Sequence, residues 1–213
     1  MAVRVDLNIS LDGVAAPADP SPQDPMGADW GLLVEDYMAT RTFRERVFGD
    51  SSGSGTTGVD DRYAAAYFDG IGAEVMGAGM FGIHAFPDDP DWRGWWGDDP
   101  PFRVPVLVLT HSERAPIAFA NGTRFEFVST GIEDAVRRAG ELSGGADVRV
   151  GGGVATVRSA LAAGLVDRLH VAVRPVILGR GTRLWDDLTH LHAHYRVTSK
   201  VAESGVVHVT FER

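Results

Sequence analysis

The 213-residue chain contains 26 glycines and no cysteine, and its 20 lysines and arginines against 29 aspartates and glutamates give a formal net charge of −9. At 44% hydrophobic and 23% charged residues it has the composition of a globular protein, long enough to bury about 70% of its unfolded surface. Disulfide frameworks, thiolate nucleophiles and cysteine-based zinc sites are excluded, and an acidic chain without a basic cluster argues against nucleic acid and anionic membranes as partners.

The N-terminus lacks the uninterrupted apolar run of a signal peptide, and no apolar stretch reaches the roughly 18 residues needed to span a bilayer, so a cytoplasmic protein with a single domain over 1–213 is expected. Val3, Val5, Leu7, Ile9 and Leu11 recur at every second position and predict a first strand over 3–11. The proline-rich stretch 12–27 reads as a loop, Trp30–Met38 as a short helix, and the Gly/Ser-rich residues 49–58 as an internal loop. Asp60-Asp61 opens a predicted helix to Phe68, with acids at its positive end, and Ala73–Met76 is a short strand ending at Gly77. From Phe86 to Pro101 five aspartates (Asp88, Asp89, Asp91, Asp98, Asp99) and Trp92, Trp95 and Trp96 form a long loop.

The second half is more regular. Strands are predicted at 104–110, 124–128, 147–150 and 169–176, helices at 131–143 and 154–163, and a hairpin at 194–202 and 206–212. Alternating strands and helices imply an α/β fold: a single mostly parallel mixed sheet flanked by helices, with an antiparallel C-terminal hairpin.

Three turns carry the candidate chemistry. Gly151-Gly152-Gly153, running from a strand into the helix that begins Val154-Ala155-Thr156, brings bare N–H groups and a helix dipole to one point, which suits a phosphate; a tight strand-to-helix turn is the alternative. Gly77-Ala78-Gly79-Met80-Phe81-Gly82 matches GxGxxG, but Pro87 leaves no room for a long helix. Thr110-His111-Ser112, followed by Arg114, offers groups for a ribose or its 2′-phosphate, or is a solvated loop. Two glycine turns at the ends of parallel strands together suggest a dinucleotide.

The opening Asn8-Ile9-Ser10-Leu11-Asp12-Gly13 and the block Val150–Trp185, with Ala163-Gly164-Leu165-Val166-Asp167-Arg168-Leu169-His170 and Pro175-Val176-Ile177-Leu178-Gly179-Arg180-Gly181, resemble the dihydrofolate reductase superfamily. They are most similar to the C-terminal reductase domain of the bifunctional riboflavin biosynthesis deaminase/reductase and its stand-alone relatives. This resemblance implies a dihydrofolate reductase-like sheet, NADPH or NADH as cofactor, and a homodimer. It assigns pyrophosphate and adenosine ribose to Gly77, Ala78, Gly79, Met80, Thr110, His111, Ser112, Gly151, Gly152, Gly153, Val154, Ala155 and Thr156, and the nicotinamide border to Val14, Ala15 and Ala16. Relatives carry arginine after the glycine matching Gly77, where Ala78-Gly79 stands here, so the NADPH preference is open.

Reduction of a C=N bond is eased by a nearby acid. Asp61, fifteen residues before Met76 as in dihydrofolate reductases, is one candidate and a helix-start residue in the alternative reading. Asp12 is the other, with a turn role as its alternative. The leading expectation is an NAD(P)H-dependent reductase passing hydride to a small heterocyclic or sugar-imine substrate, pterin- or ribosylaminopyrimidine-like, with loops 17–29, 40–59 and 84–102 covering it. The alternatives are a nucleotide-binding protein of the same fold without turnover, and a metal-binding protein using His190, His192 and His194, which would share one face of an extended segment. No metal is expected, and the Asp-rich run lacks the spacing of a calcium loop.

Overall fold

Alternating apolar residues make β1 (Val3–Ser10), and the chain continues through β2 (Val14–Ala16), α1 (Trp30–Met38), α2 (Arg41–Phe48), α3 (Val59–Phe68), β3 (Ile71–Gly77) and the one-turn α4 (Ala78–Phe81). Then follow β4 (Pro105–Leu109), β5 (Ile117–Ala118), β6 (Arg124–Val128), α5 (Ile132–Leu142), β7 (Asp147–Gly152), α6 (Val154–Ala162), β8 (Arg168–Arg174), β9 (Thr182–Arg183), β10 (Arg196–Val201) and β11 (Val207–Glu212). This computed structural model describes all residues except 22, 25, 84–88 and 90; Pro87, and Asp88 of the acidic run, lie outside the described residues. The strands build a mixed, mostly parallel sheet flanked by helices, and β10–β11 is the antiparallel terminal hairpin. The chain divides into two units, Met1–Val5, Ser21–Pro25 and Ile71–Arg168 in the first, and Asp6–Pro20, Met26–Gly70 and Leu169–Arg213 in the second.

In the first unit the start of β1 pairs with β7, β7 with β3, β3 with β4 and β4 with β6, all parallel, and β5 closes the edge antiparallel to β6. The continuous apolar run of β4 is explained by burial of Val106, Leu107 and Val108. α5 buries Ala135, Val136 and Ala139, and α6 buries Val154, Val157, Ala160 and Leu161. Phe81, Met76, Val106, Val108 and Phe125 form a core on which Trp92 and Trp96 pack, and Trp92 Nε1 donates to the Phe81 carbonyl at 2.9 Å. The tryptophans of the acidic run are therefore anchors.

A charged row crosses these strands. Arg4 on β1 stands opposite Arg149 on β7, and Arg149 stands opposite Glu74 on β3, all three buried. Arg149 Nε and Nη2 both donate to Glu74 Oε2, while Oε1 has no hydrogen-bond partner. Burial raises the Glu74 carboxyl above the usual range, against the Arg149 charge.

In the second unit β10, β11, β8 and the remainder of β1 are successive neighbours. The loop expected over 40–59 contains α2, whose sequence RTFRERVF buries no residue and so has no core-facing stripe to betray it. Its ends hold it instead: Thr40 Oγ1 accepts from Phe43 N at 3.2 Å, and Gly49 takes the left-handed C-cap at φ +67°. The two-stranded ribbon of β2 and β9 was too short to read in the sequence. Residues 191–194 form a 3₁₀ turn entered through His190 at φ 57°, rather than the extended segment expected, so the three histidines do not align along one strand face.

Candidate functional site

The two glycine turns meet in the first unit. β3 ends at Gly77 and β7 ends at Gly152, with Met76 opposite Gly152 in register. A Cβ on Gly77 would fall inside van der Waals contact of Thr156 Oγ1 and 3.7 Å from Gly153 N, so only glycine lets these chain segments approach so closely. A Cβ on Gly152, whose φ is +140°, would lie 3.0 Å from Met80 Sδ, and one on Gly151 would collide with Glu74 Oε1. The Gly152–Gly153 peptide is cis.

A Cβ on Gly153, by contrast, meets nothing within 4 Å. Gly153 is the N-cap of the nine-residue α6, gives no side-chain cap, and is followed by no acid in the first turn. The first helical bond runs from Val157 N to Gly153 O at 3.1 Å, so the N–H groups of Val154, Ala155 and Thr156 precede the ladder. Open space above an uncapped, positive helix end, walled by a second glycine turn, suits an anionic group.

Beyond the ends of β4 and β6 lies a pocket of roughly 440 Å³ lined by Thr110, Ser112, Glu113, Arg114, Ala115, Phe127, Val128 and Ser129. Thr110 Oγ1 accepts from Ser112 N at 3.1 Å, shaping the turn, while His111 is exposed. Arg114 lies over the Phe127 ring, and its Nη2 donates to the Asp89 and Trp92 carbonyls at 2.9 and 3.2 Å. Its guanidinium is thus partly committed to the protein backbone.

The two acids singled out from the sequence belong to the second unit. Asp61 Oδ1 accepts from Thr42 N at 2.8 Å, holding the first turn of α2. Asp12 accepts from Ser10 Oγ at 2.6 Å, Leu178 N at 3.1 Å and Gly179 N at 2.9 Å. These bonds, Ser10 foremost, lower its carboxyl to about 2, so it stays ionised at neutral pH and holds no proton to give. Val14 is buried, and Ala15 and Ala16 half-buried, around the short β2 strand; Val14 N donates to Ser10 Oγ at 2.9 Å.

Sequence reading missed the charged groups that the strands turn inward. Glu74, between Gly72 and Met76, interrupts an otherwise apolar strand face, whereas Arg149, Asp6, His170 and His208 share their faces with polar neighbours such as Asp147, Arg4, Arg168 and Thr210, so the pattern gave no sign that they are buried. Among the described residues no cluster of three or more histidine or acidic side chains could hold a metal, and no helix is long and apolar enough to cross a membrane.

A family profile, the RibD C-terminal domain, matches residues 1–208. The chain belongs to the RibD C-terminal domain family. No curated protein sequence matches it. A riboflavin biosynthesis protein of Shewanella sp. PV-4 is 19% identical with a TM-score of 0.61, the match covering 100% of this chain and 99% of that one. The Thermotoga maritima diaminohydroxyphosphoribosylaminopyrimidine deaminase/5-amino-6-(5-phosphoribosylamino)uracil reductase is 13% identical with a TM-score of 0.54, over 99% of this chain but 56% of that chain. The Enterococcus faecalis dihydrofolate reductase, solved with NADP(H), is 11% identical with a TM-score of 0.50, over 100% and 96% of the two chains. At these identities the likeness is one of fold: this member of the RibD C-terminal domain family is dihydrofolate reductase-like.

Proposed function

We propose that this RibD C-terminal domain protein is a reductase using a nicotinamide dinucleotide against a small heterocyclic or sugar-imine substrate of the pterin or ribosylaminopyrimidine kind. The observation that carries the reading is the open space at Gly153 above the uncapped start of α6, beside the Gly77 turn, where a Cβ on Gly77 would press on Thr156 Oγ1. When bound, the reduced nicotinamide supplies hydride to the electrophilic carbon of a C=N bond, and the nitrogen takes a proton. The Gly153–Thr156 backbone would hold the pyrophosphate through its N–H groups, and the pocket beside Thr110 and Ser112 would take the adenosine end.

The 2′-phosphate has little to recognise it. Ala78 stands where relatives carry arginine, and Arg114 is engaged with two carbonyls while Glu113 adds negative charge to the same pocket. NADH is therefore accepted about as well as NADPH. Calorimetric titration of the purified protein with each cofactor is expected to give micromolar affinities within about tenfold of one another. Binding of neither cofactor more tightly than millimolar would overturn the reading. Tight binding with no stereospecific loss of hydride to any pterin, pyrimidine or quinoid acceptor would favour the alternative, a nucleotide-binding protein without turnover, for which the engagement of both Asp12 and Asp61 in structural bonds speaks.

A further inference from the structure

Neighbouring strands of the second unit place three titratable side chains in a row. Asp6 on β1, His170 on β8 and His208 on β11 are all buried, the histidines 6% and 3% exposed. His170 Nδ1 lies 3.2 Å from Asp6 Oδ1, His170 Nε2 lies 2.9 Å from His208 Nδ1, and His208 Nε2 lies 2.8 Å from Asp60 Oδ1 at the start of α3. Tyr63, on the same face of α3, stacks on both imidazoles with ring centroids 4.3 and 4.1 Å away. The result is a continuous carboxylate–imidazole–imidazole–carboxylate chain from strand to helix.

Proton counting restricts its state. Each of the three contacts needs one hydrogen between its two heavy atoms, and ionised carboxylates supply none, so the two rings together must carry three protons. Two neutral rings hold only two, which would set a bare nitrogen against a carboxylate or two bare nitrogens against each other across the His170–His208 contact. Two fully protonated rings hold four, which would set N–H against N–H across the His170–His208 contact. Burial lowers His208 below the usual histidine range despite Asp60, which fits its being the neutral ring, donating to Asp60 and accepting from His170.

We infer that Asp6, His170, His208 and Asp60 form one proton-holding clasp, which fastens α3 to β1, β8 and β11 only while its two rings share three protons and slackens when a proton is lost or added. Nearby charges tune the clasp from every side. Asp36 on α1 adds negative charge near Asp60, Arg174 on β8 pairs with Asp36 at 2.8 Å, and Lys200 on β10 stands opposite His208 in register. Arg4 and Arg168 stand two positions before Asp6 and His170 on their own strands. A device of this kind makes the seating of α3 depend on pH from both directions.

Ring-nitrogen NMR of the full chain at neutral pH tests the proton count without any substitution. Three protonated nitrogens on His170 and His208, with a scalar coupling across the ring-to-ring bond, are expected; two or four would overturn the inference. Hydrogen exchange then tests the clasp, with α5 of the other unit as internal reference. Protection of α3, corrected for intrinsic rates, is expected to fall about tenfold relative to α5 between about pH 7 and pH 5, and again between about pH 7 and pH 9. In Asp60→Asn, whose amide oxygen can still accept from His208, the alkaline fall should begin about one pH unit lower, because one stabilising carboxylate is gone. Parallel behaviour of α3 and α5, or an Asp60→Asn profile identical to that of the parent, would overturn it.

Discussion

The glycine turns of the first unit and the histidine row of the second are built on opposite principles. Around Gly77 and Gly151–Gly153 the structure removes side chains so that backbone can approach backbone and an uncapped helix end stays open. Around His170 and His208 it does the reverse, filling strand-facing positions with groups that must be paired because water cannot reach them. The first arrangement tolerates no side chain at Gly77 or Gly151 while leaving Gly153 open, and the second tolerates no missing proton. A space kept by glycine is written in one short stretch of sequence, whereas a buried polar row is assembled from residues as far apart as Asp6 and His208 and has no local signature.

Substitutions in each region test that contrast. The largest effect is expected within the first unit, where Arg149→Met leaves Glu74 buried without its partner and should cost about 3–5 kcal/mol of stability in urea unfolding, much of it recovered in the Glu74→Leu/Arg149→Met double variant. Recovery would show that the charged row serves something other than stability; no recovery would show that the apolar pair cannot fill its space. Gly77→Ala drives a methyl group into Thr156 Oγ1 and should weaken dinucleotide binding by about 10–100-fold in the calorimetric titration, with Thr156→Ala restoring part of the loss.

In the second unit the expected effect is a slope. Folded His208 resists protonation while the unfolded ring takes a proton near pH 6.5, so the unfolded state binds more protons as the solution is acidified. Stability should therefore fall as pH drops below about 6.5 and be flat in this respect above it; His208→Gln should shallow that slope in urea unfolding measured at a series of pH values. Asp12 gives the smallest effect. Its folded carboxyl, at about 2, lies below the ordinary aspartate value of 3.8, so its contribution is present above that value and lost as pH falls toward 2. The Asp12→Asn variant should show a weaker dependence of melting temperature on pH in that acid window only.

Most of the fold was legible because its elements carry their own periodicity: β4 as an apolar run, α5 as a helical stripe over Ala135, Val136 and Ala139, and the terminal hairpin as two runs about Gly205. α2 was not legible, since it buries nothing and rests on its caps. The candidate phosphate turn was read from Gly151–Gly153 directly, but its contact with Gly77 depends on β3 and β7 being neighbours, which no spacing in the sequence expresses. Asp61 illustrates the limit: its distance from Met76 pointed to chemistry, and the structure gives it a backbone bond to Thr42, while the adjacent Asp60 faces the histidines. Two carboxylates one residue apart on a helix differ in direction by about 100°, and spacing alone does not choose between them.

The Asp12 turn also has a consequence for the order in which the chain is completed. Its carboxylate is satisfied by the backbone of Leu178 and Gly179, 166 and 167 residues further along. During synthesis the Ser10–Gly13 corner therefore waits, with its acid hydrated and its loop unclosed, until the chain through Gly179 has left the ribosome. The corner is thus locked long after it is made, and a nascent chain stalled before β8 would present it to chaperones and proteases rather than to a folded partner.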